Sequence, residues 1–112
     1  MAVWWGTEVE CHSAISRLHR MLIINQGQAE SARELPAALK IYWEEIAPDD
    51  NVRLEAIRQI HRHPLKAADG LQLAAAMIWA NHRPAGKYFV CLDDRLREVA
   101  RIEGFLLVPE TI

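Results

Sequence analysis

Four acidic residues stand where carboxylates can do chemistry. In "KYFVCLDDRLREVA" Asp93 and Asp94 follow directly on a short apolar run; in "HPLKAADGLQLAAAMIWA" Asp69 heads a segment that is otherwise almost entirely apolar; in "TEVECHSAISRLHR" Glu10 falls in the first turn of an amphipathic stretch. A charge that a helix carries toward a packed interior must be paired, hydrogen-bonded or bound to a metal, because stripping water from a lone carboxylate is costly. If the Asp69 and Glu10 helices start from the sheet edge where Asp93 and Asp94 end a strand, the acids converge there and repel one another. A divalent cation resolves that conflict, and oxygen-only ligands with retained waters suit Mg²⁺ or Mn²⁺, the usual ions of phosphodiester chemistry. Each acid also has an architectural use. Glu10 with Thr7 reads as a T-x-x-E capping box, Asp69 favours the helix dipole, and Asp93 is a standard N-cap. Capping leaves unexplained why Asp69 heads so apolar a helix, in which Ala67, Ala68, Ala74, Ala75 and Ala76 would permit close approach to a sheet.

The elements that must position these acids follow from periodicity. Residues 7–24 read as a helix, with Cys11, Ala14, Ile15, Leu18 and Leu22 at helical spacing and Arg17 and Arg20 off that stripe. A second helix is expected over 29–43, with Pro36 as a kink or break, leading into the strand candidate "EEIAP". Residues 51–62 form a third helix with Val52, Ile57 and Ile60 among its apolar positions, and the Asp69 helix follows. "RPAG" punctuates the chain, "KYFVCL" reads as a buried strand, "DDRLREVARIEG" as a helix running from aspartate to Gly104, and "FLLVP" as another strand. Alternating strands and helices imply an α/β layered fold with a largely parallel sheet, whose sites lie beyond the carboxyl ends of the strands.

The 112 residues amount to one domain, and 51% hydrophobic with 25% charged residues is an ordinary globular composition. A formal charge of −2 excludes a globally basic nucleic-acid binder, so phosphate contacts must come from a local patch; Arg17, Arg20, Lys66 and Arg95 are the candidates. Cys11 and Cys91 have no CxxC spacing and no signal peptide ahead of them, which suits free buried thiols in the cytoplasm. No apolar run is long enough to span a bilayer. The pair His61 and His63 lacks a second His or Cys pair at zinc-site spacing. Trp4 and Trp5 suit a core or dimer contact.

"LKAADGLQLAAAMIWA" followed by "YFVCLDDRLREVARIEGFLLVP" resembles the C-terminal half of a PIN domain, especially the VapC-type toxins of bacterial toxin–antitoxin pairs. "WWGTEVECHSAISRLHR" resembles the family's second acidic helix and "YWEEIAP" its second strand, so the likeness covers nearly the whole chain. The resemblance implies a cytoplasmic, Mg²⁺- or Mn²⁺-dependent endoribonuclease whose acids correspond to Glu10, Asp69 and Asp93, with Asp94 as an accessory. Its expected partners are an RNA substrate, a cognate antitoxin and a second copy of the chain. Two departures stand out. Gly70 replaces the family's usual alanine after the helix aspartate, and "MAVWWG" runs straight into the Glu10 helix where the family has a central strand ending in a further aspartate. The expectation is therefore a single PIN-like domain over 1–112, three-layered with a mostly parallel sheet, N-terminally incomplete and lacking its first central strand. The competing reading, from a different functional class, is a catalytically inactive PIN-like remnant that only binds a protein partner.

Overall fold

The computed structural model describes residues 1–111, and the chain divides into two compact units, Met1–Glu45 and the residues from Ile46 onward.

The first unit runs β1 (Ala2–Trp4), α1 (Thr7–Arg20), α2 (Gln26–Leu39), a 3-10 turn at Lys40–Tyr42, and β2 (Glu44–Ile46), which carries the chain into the second unit. A strand thus precedes α1, where sequence reading expected none. It pairs with β2, the Glu44 N–H donating to the Met1 carbonyl at 2.8 Å. The Thr7/Glu10 capping box does not form: Thr7 is already helical, and the N-cap is Gly6 with no side-chain cap bond. A side chain at position 6 would collide with the Trp4 indole, whose Nε1 lies 2.6 Å from where a Cβ would stand. The reciprocal box belongs instead to α2. Asn25 Oδ1 accepts from the Gln28 N–H at 2.8 Å and Gln28 Oε1 from the Asn25 N–H at 2.9 Å, which starts the helix three residues before the expected position. Pro36 sits buried inside α2 without ending it, and the helix stops at Leu39 rather than continuing to 43. Between α1 and α2 the Leu22 N–H reaches the His19 carbonyl and the Ile23 N–H the Leu18 carbonyl, a Schellman closure in which Leu22 takes φ 60°.

The second unit runs α3 (Asp50–Arg62), α4 (Ala67–Trp79), β3 (Tyr88–Val90), α5 (Asp94–Glu103) and β4 (Leu106–Val108). β3 and β4 pair in parallel, Tyr88 beside Leu106, Phe89 beside Leu107 and Val90 beside Val108. Their inner face, Phe89 and Leu107, joins Leu73 and Met77 of α4, Leu96 and Val99 of α5, Leu65 and Phe105 in one apolar core. α5 starts on Asp93 and ends on Gly104 at φ 114°, as its sequence signals indicate. In α3 the apolar positions and the buried face coincide only in part. Ile57 and Ile60 are exposed, while Val52, Glu55, Ala56 and Gln59 are buried.

The chain is α/β, with five α-helices and four short strands among the described residues. Its described strands form two separate two-stranded sheets rather than one larger sheet, and β3–β4 is parallel. No described helix is long and apolar enough to cross a membrane.

Candidate metal site at the ends of α4 and β3

Asp93 is held where β3 has ended and α5 begins. Its Oδ1 accepts from the Leu96 N–H at 2.8 Å, its carbonyl accepts from the Arg97 N–H at 2.9 Å, and the Cys91 thiol points at the same carbonyl at 3.6 Å. Asp69 lies half-buried in the first turn of α4, after an N-cap, Lys66, that makes no side-chain cap bond. Burial raises the Asp69 pKa above the ordinary aspartate range, the negative charge of Asp93 raises it further, and Lys66 opposes both. Cys91 reports the same convergence. Burial pushes its thiol up, the hydrogen bond to the Asp93 backbone opposes this, the Asp93 and Asp69 charges add to the rise, and Arg97 counters them. Asp69, Asp93 and Cys91 therefore share one electrostatic neighbourhood at the carboxyl end of β3.

The remaining expected residues are placed as follows. Asp94 is exposed in the first turn of α5, and Arg95 donates to the Pro64 carbonyl at 3.2 Å. Glu10, Arg17 and Arg20 belong to α1 in the first unit, Glu10 half-buried in the first turn and the two arginines exposed in the last. Beside Glu10, the Cys11 thiol is pushed up by burial and by the charges of Glu10 and Glu8. Among the described residues no group of three or more His, Cys, Asp or Glu side chains is set to hold a metal.

Compared with protein families, curated proteins and solved structures, the chain matches none.

Sequence reading missed two features of the second unit. Arg97 is buried and donates to the Cys91 carbonyl at 2.9 Å and the Glu110 carbonyl at 3.1 Å, tying together the chain beyond β3 and beyond β4 under Asp93. Its signal was available: Arg97 is a charge next to the Leu96, Val99 and Ala100 stripe, the same criterion that singled out Asp69. The second is a buried polar network between α3 and α5. Gln59 Nε2 donates to Glu55 Oε1 at 3.2 Å and Glu103 Oε1 at 3.1 Å, while Glu103 Oε2 meets His63 Nε2 at 3.0 Å and Arg62 at 3.3 Å. His63 thus serves a hydrogen bond within the fold. No single residue spacing announces such a network, because its members come from two helices.

A two-carboxylate donor set fits a hard cation. Mg²⁺ keeps most of its waters and takes one or two protein carboxylates together with substrate phosphate oxygens, so Asp69 and Asp93 suffice in number and in donor type. Their mutual repulsion is the property a bound cation would relieve.

Proposed function

We propose that the chain is a PIN-like, metal-dependent endoribonuclease of the VapC toxin kind, acting in the cytoplasm under the control of a cognate antitoxin. The observation that carries this reading is the electrostatic coupling of Asp69 to Asp93 at the carboxyl end of a parallel strand. On this reading the α/β architecture is a PIN-like three-layer fold. Asp69 and Asp93 hold Mg²⁺ or Mn²⁺, which when bound polarises the phosphodiester and acidifies a water. The chain's own residues set that chemistry up. The Leu96 N–H fixes the Asp93 carboxylate, Arg97 braces the backbone beneath it, and Lys66 adds positive charge beside Asp69 for an approaching phosphate. Arg95 is a further phosphate contact, and Asp94 an accessory acid.

The second reading, an inactive PIN-like protein-binding module, is favoured by the lack of a three-residue ligand group among the described residues. Mn²⁺ binding by calorimetry and Mg²⁺-dependent cleavage of a structured RNA, with EDTA as control, separate the two. The enzyme reading expects both in the wild type. It expects both to be lost in Asp69→Asn and Asp93→Asn, the latter keeping its helix cap because asparagine caps about as well as aspartate. A well-folded wild type that neither binds Mn²⁺ nor cuts RNA leaves the binding module as the surviving reading.

A further inference from the structure

The turn between α1 and α2 is apolar where solvent and backbone geometry both argue against it. Met21, Leu22 and Ile23 are 61%, 88% and 61% exposed, and Leu22 holds its left-handed φ of 60° with its side chain in water. A leucine there costs backbone strain that glycine would avoid, and it leaves a large apolar side chain hydrated. Neither cost is repaid inside the fold. Strain kept without a structural return points to a use outside the chain.

The charges around the turn choose the partner. Between Glu10 and Glu30 the sequence contains no acid, while Arg17 and Arg20 are exposed in the last turn of α1 with His19 between them. Among the described residues neither arginine forms an ion pair. The tip is therefore locally cationic in a chain whose formal charge is −2. Arg17 stands about one turn, roughly 6 Å along the helix axis, behind Met21, and helical side chains lean toward the helix N-terminus, away from the tip. Apolar side chains in front and guanidinium groups behind match the layering of an anionic bilayer, acyl chains beneath phosphate-bearing headgroups.

Two other classes of partner fit less well. Single-stranded nucleic acid stacks its bases on aromatic side chains, and residues 17–24 include none. A protein interface engages on the order of 800 Å² per partner, whereas three such side chains on a convex turn present on the order of 350 Å². A fluid bilayer closes around a small protrusion and sets no such minimum.

We propose that the α1–α2 turn is a lipid-contacting tip that inserts Met21, Leu22 and Ile23 into the surface of an anionic bilayer and sets Arg17 and Arg20 on the lipid phosphates. The contact is peripheral, since no described helix can cross a membrane, and reversible, since three apolar side chains bury less than a single myristoyl chain. This inference does not depend on the nuclease reading.

Co-sedimentation of the full chain with phosphatidylcholine vesicles, with and without phosphatidylglycerol, tests the proposal. Binding is expected to the mixed vesicles, weakening with added salt, and only slightly to phosphatidylcholine alone. Leu22→Gly suits the left-handed turn, so it should raise the melting temperature while lowering vesicle binding about tenfold. Ile23→Ser should lower binding by a similar factor without that gain in melting temperature. Arg17→Gln and Arg20→Gln should each lower binding about fivefold. A folded wild type that stays in the supernatant with both vesicle types overturns the proposal, as does binding that survives Leu22→Gly and Ile23→Ser combined. Equal, salt-insensitive binding to both vesicle types overturns the assignment of the arginines to anionic lipid.

Discussion

Two carboxylates of the second unit are pushed in opposite directions by their surroundings, and the direction sets the sign of each one's contribution to stability. Burial raises Glu103, but the hydrogen bonds from His63 and Gln59 and the charge of Arg62 outweigh it and hold the group below the ordinary glutamate range. A depressed folded-state pKa contributes stability that is present above the unfolded value and lost as the pH falls through the folded one. Glu103→Gln should therefore cost about 1–3 kcal/mol at neutral pH. Urea titrations should show that gap closing as the pH falls through the lowered folded-state value, below which the wild type is also protonated. A gap that persists unchanged in acid would mean the network does not use the carboxylate charge. Asp69 has the opposite sign. Burial and Asp93 raise its pKa, so the folded state gains from this group below the unfolded aspartate value and loses that gain as the pH rises through the folded one. Asp69→Asn should accordingly raise the melting temperature of the metal-free protein at neutral pH, an advantage that disappears in acid, and Mn²⁺ should stabilise the wild type but not the variant. A melting temperature lowered by Asp69→Asn would show that the carboxylate serves the fold rather than a site. Stability given up at one acid and recovered at another is the pattern expected when only one of them is kept for function.

At the scale of elements, two positions test how helices are closed and packed. Leu22 occupies the left-handed position of the Schellman turn after α1, where glycine is cheapest, and it is 88% exposed, so no packing compensates the strain. Leu22→Gly should stabilise the protein by roughly 0.5–1 kcal/mol in urea denaturation, and a loss would mean that the leucine side chain is held by something. Gly70 sits where α4 meets α3, and a Cβ there would stand 2.9 Å from Ile60 Cγ1 and 3.0 Å from its Cδ1. Gly70→Ala gains helix propensity but crowds Ile60, so it should stabilise by about 0.5–1 kcal/mol in an Ile60→Ala background and by less, or not at all, in the wild type. Equal effects in both backgrounds would remove the steric account. The same elements mark how far the sequence could be read. α5, with its aspartate start and glycine stop, was legible because both caps are local, and β3 and β4 because their apolar runs are bounded by turn residues. The buried face of α3 was not, since Glu55 and Gln59 enter the interior through bonds to each other and to a glutamate 44 residues further on from Gln59. The start of α2 was hidden because its capping box uses Asn25 and Gln28 rather than a hydroxyl and an acid. For the candidate site, the nearness of Asp69 to Asp93 was legible from a charge set against apolar surroundings. The Thr7/Glu10 spacing resembled a cap that Gly6 in fact provides.

Over the whole molecule, burial is distributed unevenly between the two units. The second has a continuous core linking α4, α5, β3 and β4, anchored by fully buried Leu73 and Leu96. In the first, α1 has no fully buried residue and α2 has only Ala29 and Pro36, while Val9, Leu18, Leu35 and Leu39 are exposed. Local stability follows buried apolar contact, so the helices of the first unit should open at lower free energy than those of the second. The tryptophans permit a direct reading, since Trp4, Trp5 and Trp43 lie in the first unit and Trp79 in the second. In a Trp79→Phe variant, fluorescence reports the first unit alone, and its urea midpoint should precede that of far-UV circular dichroism, which sums the helices of both. Native-state hydrogen exchange should agree, with α1 amides exchanging through openings at least about 2 kcal/mol below those that expose α4 and α5. Coincident midpoints and uniform exchange would instead show one cooperative transition, and the first unit would then owe its stability to interactions other than its own buried residues.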